Sequence, residues 1–209
     1  MSLGKLLWRS VDDFIRLCMN ILILDGSRQP VAALENVKAE LRARMEGKGH
    51  ELEEIILRNK SMNRCIGCFS CWVKRPGLCV FEDDGQKVAG CLANAQLVVI
   101  LTPITFGGYS SLLKNALDRQ LPVLLPFFGK VEGEVHHALR YESYPTMLVV
   151  GSIENQDKLH ENVFARLAKR NSVNGHAPQS NSLVVYDKET REEVSRKLDL
   201  VLDGMGVTL

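Results

Sequence analysis

Short apolar runs alternate with amphipathic stretches from residue 19 almost to the end of the chain. The runs at 19–24 (MNILIL) and 96–102 (QLVVILT) are nearly continuous in apolar residues, which is typical of parallel strands buried on both faces. Between the runs, apolar residues recur three and four positions apart, which predicts helices. The predicted strands are 19–24, 50–57, 96–102, 146–152 and 182–186, and the predicted helices are 31–48, one beginning at Asp83 or Asp84, 110–119, 157–171 and 189–202.

Strands that alternate with helices predict an α/β domain in which right-handed crossovers cover both faces of a parallel sheet. We expect a doubly wound five-stranded sheet with the order 2-1-3-4-5, whose ligand crevice lies at the carboxyl ends of strands one and three. Residues 1–18 are expected to form an N-terminal helical extension, and 19–209 a single domain. That domain carries a cysteine loop at 58–82 and an irregular insertion at 120–145.

Charge and composition exclude several classes of partner. The 209 residues include 26 Lys and Arg against 25 Asp and Glu, so no global field attracts nucleic acid or an anionic membrane. The apolar runs fall far short of the roughly 20 residues that span a bilayer. Charged residues also interrupt the first 24 positions, which breaks the apolar core of a secretory signal. We therefore expect a cytoplasmic protein without a nucleic-acid or membrane partner.

Two loops meet at the predicted crevice, at residues 25–30 (DGSRQP) and 102–108 (TPITFGG). The first loop leads into a helix N-terminus, where unpaired N–H groups and the positive end of the dipole suit a phosphate, with Ser27 and Arg28 as further donors. An ordinary capped turn is the alternative interpretation of this loop.

The GSxR loop and the segment 102–119 (TPITFGGYSSLLKNALDR) together resemble the NADPH-dependent FMN reductase family of flavodoxin-like proteins. Eight residues of the second segment match the family pattern: Pro103, Phe106, Gly107, Ser110, Leu113, Lys114, Asp118 and Arg119. The resemblance covers most of 19–202 and implies a flavodoxin-like fold that binds FMN. Because flavin N5 would carry the chemistry, no catalytic side chain is expected.

The resemblance also implies which residues contact FMN. They are Gly26, Ser27 and Arg28 at the phosphate, Pro103, Ile104, Thr105, Phe106 and Gly107 along the ring edge, and Gly151 and Ser152 on the other side of the ring. Two departures from the family pattern predict weaker phosphate binding and a more open pocket. Residues 29–33 supply no hydroxyl group, and Thr105 stands where the family usually has Tyr.

Four cysteines follow the spacing C-x2-C-x2-C-x7-C at Cys65, Cys68, Cys71 and Cys79. Thiolates this close in sequence suit an iron-sulfur centre. The spacing resembles that of iron-sulfur flavoproteins, a branch of the same family, which implies a 4Fe-4S cluster near the flavin. Tetrathiolate zinc and cysteines without metal remain alternatives. Cys18 and Cys91 lie in or beside apolar segments and are predicted to be core residues.

These features predict an FMN-dependent oxidoreductase of iron-sulfur flavoprotein type. Electrons would pass between a donor, either ferredoxin or the nicotinamide nucleotide NAD(P)H, and an acceptor through FMN and the cluster. The resemblance further implies a homodimer or homotetramer. One alternative is a simple NAD(P)H-dependent FMN or quinone reductase without a cluster. Another is a non-catalytic module that has lost FMN and keeps zinc or structural cysteines.

Overall fold

The computed structural model describes residues 19–131 and 133–209, and this part of the chain contains seven strands and six α-helices. The strands are β1 (Asn20–Asp25), β2 (Glu51–Ile56), β3 (Leu97–Pro103), β4 (Leu124–Val131), β5 (Glu134–Leu139), β6 (Thr146–Ile153) and β7 (Ser180–Tyr186). The helices are α1 (Ala32–Met45), α2 (Ser70–Val73), α3 (Asp84–Asn94), α4 (Ser111–Asp118), α5 (Lys158–Asn174) and α6 (Arg191–Gly204). The predicted helix at 1–18 and Cys18 lie outside the described residues.

Five parallel strands form the main sheet in the order β2-β1-β3-β6-β7. Because β4 and β5 lie outside this sheet, its order confirms the predicted 2-1-3-4-5 arrangement. β1 and β3 are neighbours, and β1 ends at Asp25 opposite Leu101. The crevice predicted at the carboxyl ends of these two strands therefore lies where the direction of winding reverses.

The central strands are apolar because helices cover both faces of the sheet. Alternate strand residues such as Ile21 and Val99 pack against α1 and α6 on one face. Their neighbours, such as Leu22 and Ile100, pack against α3, α4 and α5 on the other. Burial on both faces explains why the strands read as continuous apolar runs.

The sequence predicts an irregular insertion at 120–145. In the structure, β4 and β5 of this segment form an antiparallel hairpin instead. Phe128 lies opposite His137, and the register shifts between Leu124 and Phe128. Pro126 and Gly129 lie within β4, and most of its side chains are at least partly exposed. A strand with a register shift and no buried face lacks the period-two pattern that identifies strands in a sequence.

Trp72 of α2 connects the cysteine loop to this hairpin. Its indole Nε1 donates to the carbonyl oxygens of Leu121 and Leu124, each at 3.0 Å. Its ring centroid lies 5.4 Å from that of Phe69 and 4.9 Å from that of His137. The His137 ring in turn stacks 4.7 Å from Phe128. The hairpin is thereby attached to the cysteine loop by side chains, since it shares no ladder with the main sheet.

A polar cluster joins α1 to α6 on the outer surface. The Glu40 carboxylate accepts hydrogen bonds from Arg191 Nε at 2.5 Å, Ser195 Oγ at 2.8 Å and Arg44 Nη1 at 2.6 Å. Burial raises the pKa of Glu40, but the bonds from Arg191, Ser195 and Arg44 outweigh burial and lower this pKa to about 2.

The Glu40 cluster makes the free energy of unfolding depend on pH. Because the pKa of Glu40 is lower in the folded chain than in the unfolded one, its contribution is complete at neutral pH and disappears as the pH falls from about 5 to about 2. We expect Glu40→Gln to remove about 2 kcal/mol at pH 7, allowing for the exposure of Arg191. Urea unfolding at several pH values tests this, with Glu46→Gln, an exposed position at the end of α1, as the control. A constant difference between wild type and Glu40→Gln down to about pH 2 would contradict it.

Among the described helices, none combines the length and the apolar character that a membrane crossing requires.

Candidate functional site

The loop after β1 is fixed against β3 and α4 at the carboxyl edge of the sheet. The Gly26 N–H donates to the Leu101 carbonyl at 2.8 Å, and Ser110 Oγ donates to the Gly26 carbonyl at 2.5 Å. A Cβ atom added at Gly26 would lie 2.6 Å from Leu113 Cβ. Glycine therefore allows α4 to approach the loop closely. Ser110 Oγ also accepts from the Leu113 N–H at 3.1 Å and thus caps α4.

The donors left at this loop fit a phosphate group. No side chain of the described residues caps α1, which begins after Val31. The first N–H groups of a helix have no partner within it. Arg28 lies on the same loop, with its Nη2 2.6 Å from Ser111 Oγ, and Ser27 is buried beneath it. An uncapped helix N-terminus beside a guanidinium is a donor set suited to a phosphate monoester, even without the missing hydroxyls.

A buried carboxylate, which was not predicted as a functional residue, supports the same loop. Asp25 is 1% exposed and accepts from the Ser27 N–H at 2.8 Å, Lys38 Nζ at 3.0 Å and Arg58 Nη1 at 3.2 Å. Burial raises the pKa of Asp25, but the bonds from Ser27 and Lys38 bring it below its ordinary value. Asp25 is therefore ionised, and two cations neutralise it. Lys38 also pairs with Glu35 at 2.6 Å.

The loop after β3 ends in a tight turn. Thr105 and Gly108 exchange backbone hydrogen bonds of 3.0 and 2.8 Å. Between them, Phe106 and Gly107 have φ angles of 51° and 75°, the left-handed combination of a two-residue hairpin turn. Phe106 is 91% exposed at the tip. An aromatic residue in this conformation is uncommon, and its side chain is free to cover a ligand at the edge of the crevice.

The end of β6 is joined to the same loop. The Ile104 N–H donates to the Ser152 carbonyl at 2.8 Å. A Cβ atom at Gly151 would lie 2.6 Å from Ile104 Cγ1 and 2.7 Å from Phe164 Cζ, so this glycine makes room for Ile104. The structure thus places all three predicted flavin-contact segments at the carboxyl edge of β1, β3 and β6, while contact of each residue with FMN remains a prediction.

The four cysteines of the C-x2-C-x2-C-x7-C motif lie together in space. In the sequence they are well separated from these loops. Cys65, Cys68, Cys71 and Cys79 all line one small cavity of about 20 Å³. All four are free thiols; Cys65 and Cys68 are exposed, whereas Cys71 is buried. Burial raises the pKa of Cys71, and the nearby Cys79 raises it further.

Backbone geometry brings the four thiols together. Gly67 and Phe69 have φ angles of 66° and 54°, which reverse the chain between successive cysteines. After α2, the Gly77 N–H donates to the Cys71 carbonyl at 2.9 Å and folds the chain back toward Cys79. Two left-handed residues and a local turn between Cys71 and Gly77 therefore shape the loop that carries the motif.

A buried ion pair clamps the cysteine loop to α4. Arg119 is 2% exposed and donates to Asp83 Oδ1 at 2.8 Å, to Asp83 Oδ2 at 2.9 Å and to the Asn63 carbonyl at 2.6 Å. The Arg119 guanidinium holds the pKa of Asp83 well below its usual range. Asp83 also accepts from the Gly85 N–H at 3.0 Å and thus caps α3, whose beginning was predicted at Asp83 or Asp84. The nearby Cys79 helps to raise the pKa of Arg119, which shows that the clamp lies next to the thiols.

Within residues 19–131 and 133–209, no group of three or more His, Cys, Asp or Glu side chains is arranged to hold a single metal ion. Cys91, predicted to be a core residue, is half-buried and packs against the core between the sheet and α3, α4 and α5.

The sheet order and its flanking helices define a flavodoxin-like protein, and solved structures show the same fold. An FMN-dependent NADH-azoreductase from Bacillus anthracis, solved with FMN, has a TM-score of 0.61 at 17% identity and covers 90% of this chain and 98% of its own. An NAD(P)H:quinone oxidoreductase from Methanothermobacter marburgensis has a TM-score of 0.58 at 14% identity, with coverage of 88% and 92%.

Residues 19–138, more than half of the chain, match the NADPH-dependent FMN reductase family, and the chain belongs to this family. Membership supports FMN as its cofactor. An iron-sulfur flavoprotein of Methanocaldococcus jannaschii is 32% identical over 119 residues, which are 56% of this chain and 61% of that protein. An iron-sulfur flavoprotein of Archaeoglobus fulgidus is 34% identical over 104 residues, 48% of each chain. The match thus spans about half to three fifths of these relatives' length.

Proposed function

We propose that the chain is an FMN-dependent oxidoreductase of iron-sulfur flavoprotein type. FMN would lie at the carboxyl edge of β1 and β3, and a 4Fe-4S cluster would be held by Cys65, Cys68, Cys71 and Cys79. The observation that carries the proposal is the convergence of these four thiols on one cavity in a chain of the FMN reductase family.

The chain's own residues would bind and orient the flavin. The uncapped N–H groups of α1 and the Arg28 guanidinium would hold the phosphate. The turn at Thr105–Gly108 would lie along the ring, and Ile104, seated on Gly151, would exclude water beneath it. Bound FMN supplies a hydride or single-electron acceptor at N5, and no side chain is needed as a general acid or base.

The cysteine loop suits a cluster better than zinc. In a 4Fe-4S cluster each iron takes one thiolate, so the four sulfurs stand apart, whereas tetrathiolate zinc requires all four around one ion. Apolar side chains, including Ile66, Val80 and Phe81, line the same cavity and would shield the cluster from water. The Arg119 side chain would donate to the Cys79 thiolate, a bond of the kind that tunes cluster potentials.

A nicotinamide nucleotide or ferredoxin would supply the electrons. The proposed oligomeric state is a homodimer or homotetramer, and the proposed location is the cytoplasm. The description of the family as NADPH-dependent supports the nicotinamide donor. Steady-state oxidation of NADPH, NADH and reduced ferredoxin by the purified protein would identify the donor, and sedimentation would give the oligomeric state.

The deciding experiment compares wild type with Cys68→Ser after purification without oxygen, by visible absorption and by analysis of flavin, iron, sulfide and zinc. We expect one FMN and about four irons per wild-type chain. Cys68→Ser should lose iron and keep FMN, because Cys68 is exposed and is none of the residues predicted to contact FMN. Cys91→Ser, outside the motif, is the control and should retain both cofactors.

Each alternative has its own signature in the same experiment. FMN without iron would identify a simple reductase, and zinc in place of iron would identify a tetrathiolate site. A protein that stays colourless after reconstitution with FMN, iron and sulfide would overturn the redox function altogether.

A further inference from the structure

Arg58, just beyond the carboxyl end of β2, contacts the loop that follows β1. It lies in a short 3-10 turn directly after β2, the strand that pairs with β1 in the main sheet. Its Nη1 donates to Asp25 Oδ2 at 3.2 Å and lies 3.5 Å from the Ser27 carbonyl oxygen. Arg58 therefore reaches the predicted phosphate site, although it is not among the ten residues predicted to contact FMN.

Few donors in this loop remain for a phosphate. The Ser27 N–H donates to Asp25, Pro30 has no N–H, and residues 29–33 supply no hydroxyl group. Arg28 and the first N–H groups of α1 are left. A phosphate monoester carries close to two negative charges at neutral pH. Because direct donors are few, its binding depends strongly on the charges that surround the loop.

The charges beneath the loop balance only when Arg58 is counted. The six charged side chains of this cluster are Asp25, Glu35, Glu54, Lys38, Arg42 and Arg58. Lys38 Nζ lies within 3.5 Å of all three carboxylates, and Arg42 pairs with Glu54 on the outer side. Without Arg58, one negative charge would stay uncompensated beside a site for a dianion. Burial of Asp25 keeps that charge poorly screened by solvent.

We infer that Arg58 is a positioning residue for the flavin phosphate and makes the site selective for FMN over riboflavin, which lacks the phosphate. The inference rests on the proposed binding of FMN at this edge of the sheet. Asp25 shapes the loop by holding the Ser27 N–H, and Arg58 cancels the charge that this carboxylate would otherwise direct at the ligand. Arg58 thus acts on the phosphate through Asp25 and the loop.

Equilibrium dialysis of the flavin-free full-length chain against FMN and against riboflavin tests the inference. We expect wild type to bind both flavins and to prefer FMN. Arg58→Met should weaken FMN at least about tenfold and riboflavin by less than about twofold, because a charge near the dianion is lost while the ring contacts stay. Retained riboflavin binding also shows that the variant is folded. Arg58→Lys, which keeps the charge, should recover part of the FMN affinity.

Two further variants separate charge balance from other effects. Asp25→Asn combined with Arg58→Met restores the balance and keeps an acceptor for the Ser27 N–H, so FMN affinity should return to within about threefold of wild type. Arg196→Met, the same change at an exposed position on α6, should alter neither flavin.

Three results would overturn the inference and leave the proposed function standing. They are equal losses of FMN and riboflavin in Arg58→Met, an unchanged preference for FMN in that variant, and no recovery in the double variant. Failure of wild type to bind either flavin would overturn the inference and the proposed function together.

Discussion

Replacing Lys38 by methionine is expected to lower the free energy of unfolding by about 3 to 5 kcal/mol. Lys38 and Asp25 are each 1% exposed, and the variant leaves the Asp25 carboxylate in the core with Arg58 as its remaining cation. Breaking a buried pair from one side costs more than the pair itself contributes, because a desolvated charge is left behind. For a chain of this size the melting temperature should fall by roughly 6 to 20 °C.

Urea unfolding measures this effect against two further variants. Lys87→Met removes the same side chain from an exposed pair with Glu53 and should leave the free energy of unfolding nearly unchanged. The double variant Asp25→Asn with Lys38→Met removes both charges and should recover part of the loss. If Lys38→Met were no more destabilised than Lys87→Met, the pair would not support the phosphate loop.

Replacing Arg119 by leucine is expected to cost a similar 3 to 5 kcal/mol, about as much as breaking any other buried pair. The variant would leave the Asp83 carboxylate and the Asn63 carbonyl without the guanidinium that joins them. The substitution should also loosen the cysteine loop, because Arg119 bonds Asn63 and Asp83 at its two ends. In protein without metal, the buried Cys71 thiol of the variant should react faster with iodoacetamide than that of wild type.

Arg75→Leu is the matched control for this prediction. Arg75 pairs with Glu82 at 3.3 Å, where the two side chains are 41% and 76% exposed, so its loss should cost at most about 1 kcal/mol. Denaturation and alkylation of Arg119→Leu indistinguishable from those of Arg75→Leu would show that the clamp does not position the thiols.

The main sheet was predictable because its strands are buried on both faces, and this burial demands apolar residues such as Val98 to Leu101 in succession. The hairpin was not predictable by the same rule. Phe127 and Phe128 are each 68% exposed, and the contacts that order the hairpin come from residues distant along the chain, among them Trp72, more than fifty residues away. Such tertiary contacts leave no periodic pattern in the strand itself.

The position of the candidate site followed from loop residues, but its electrostatic support did not. Lys38 stands at a helical spacing of four from Leu34 and three from Leu41, so it lies on the apolar face of α1. A charged residue on that face signals a buried partner, and Asp25 at the end of an apolar strand is the natural one. The signal was present, but the identity of the pair depended on the register of α1 against β1, which only the fold supplies.

The attachment of the hairpin through Trp72 also has a dynamic consequence. An isolated two-stranded hairpin is marginally stable in water, so β4 and β5 depend on contacts outside the hairpin. His137 lies against Trp72 of the cysteine helix, and Glu134 pairs with Arg170 of α5. The hairpin and the cysteine loop are therefore coupled through Trp72, so that loosening of one removes a contact that orders the other. Slow amide hydrogen exchange in the hairpin reports an ordered cysteine loop, and its acceleration would register any loosening of that loop before the main sheet begins to unfold.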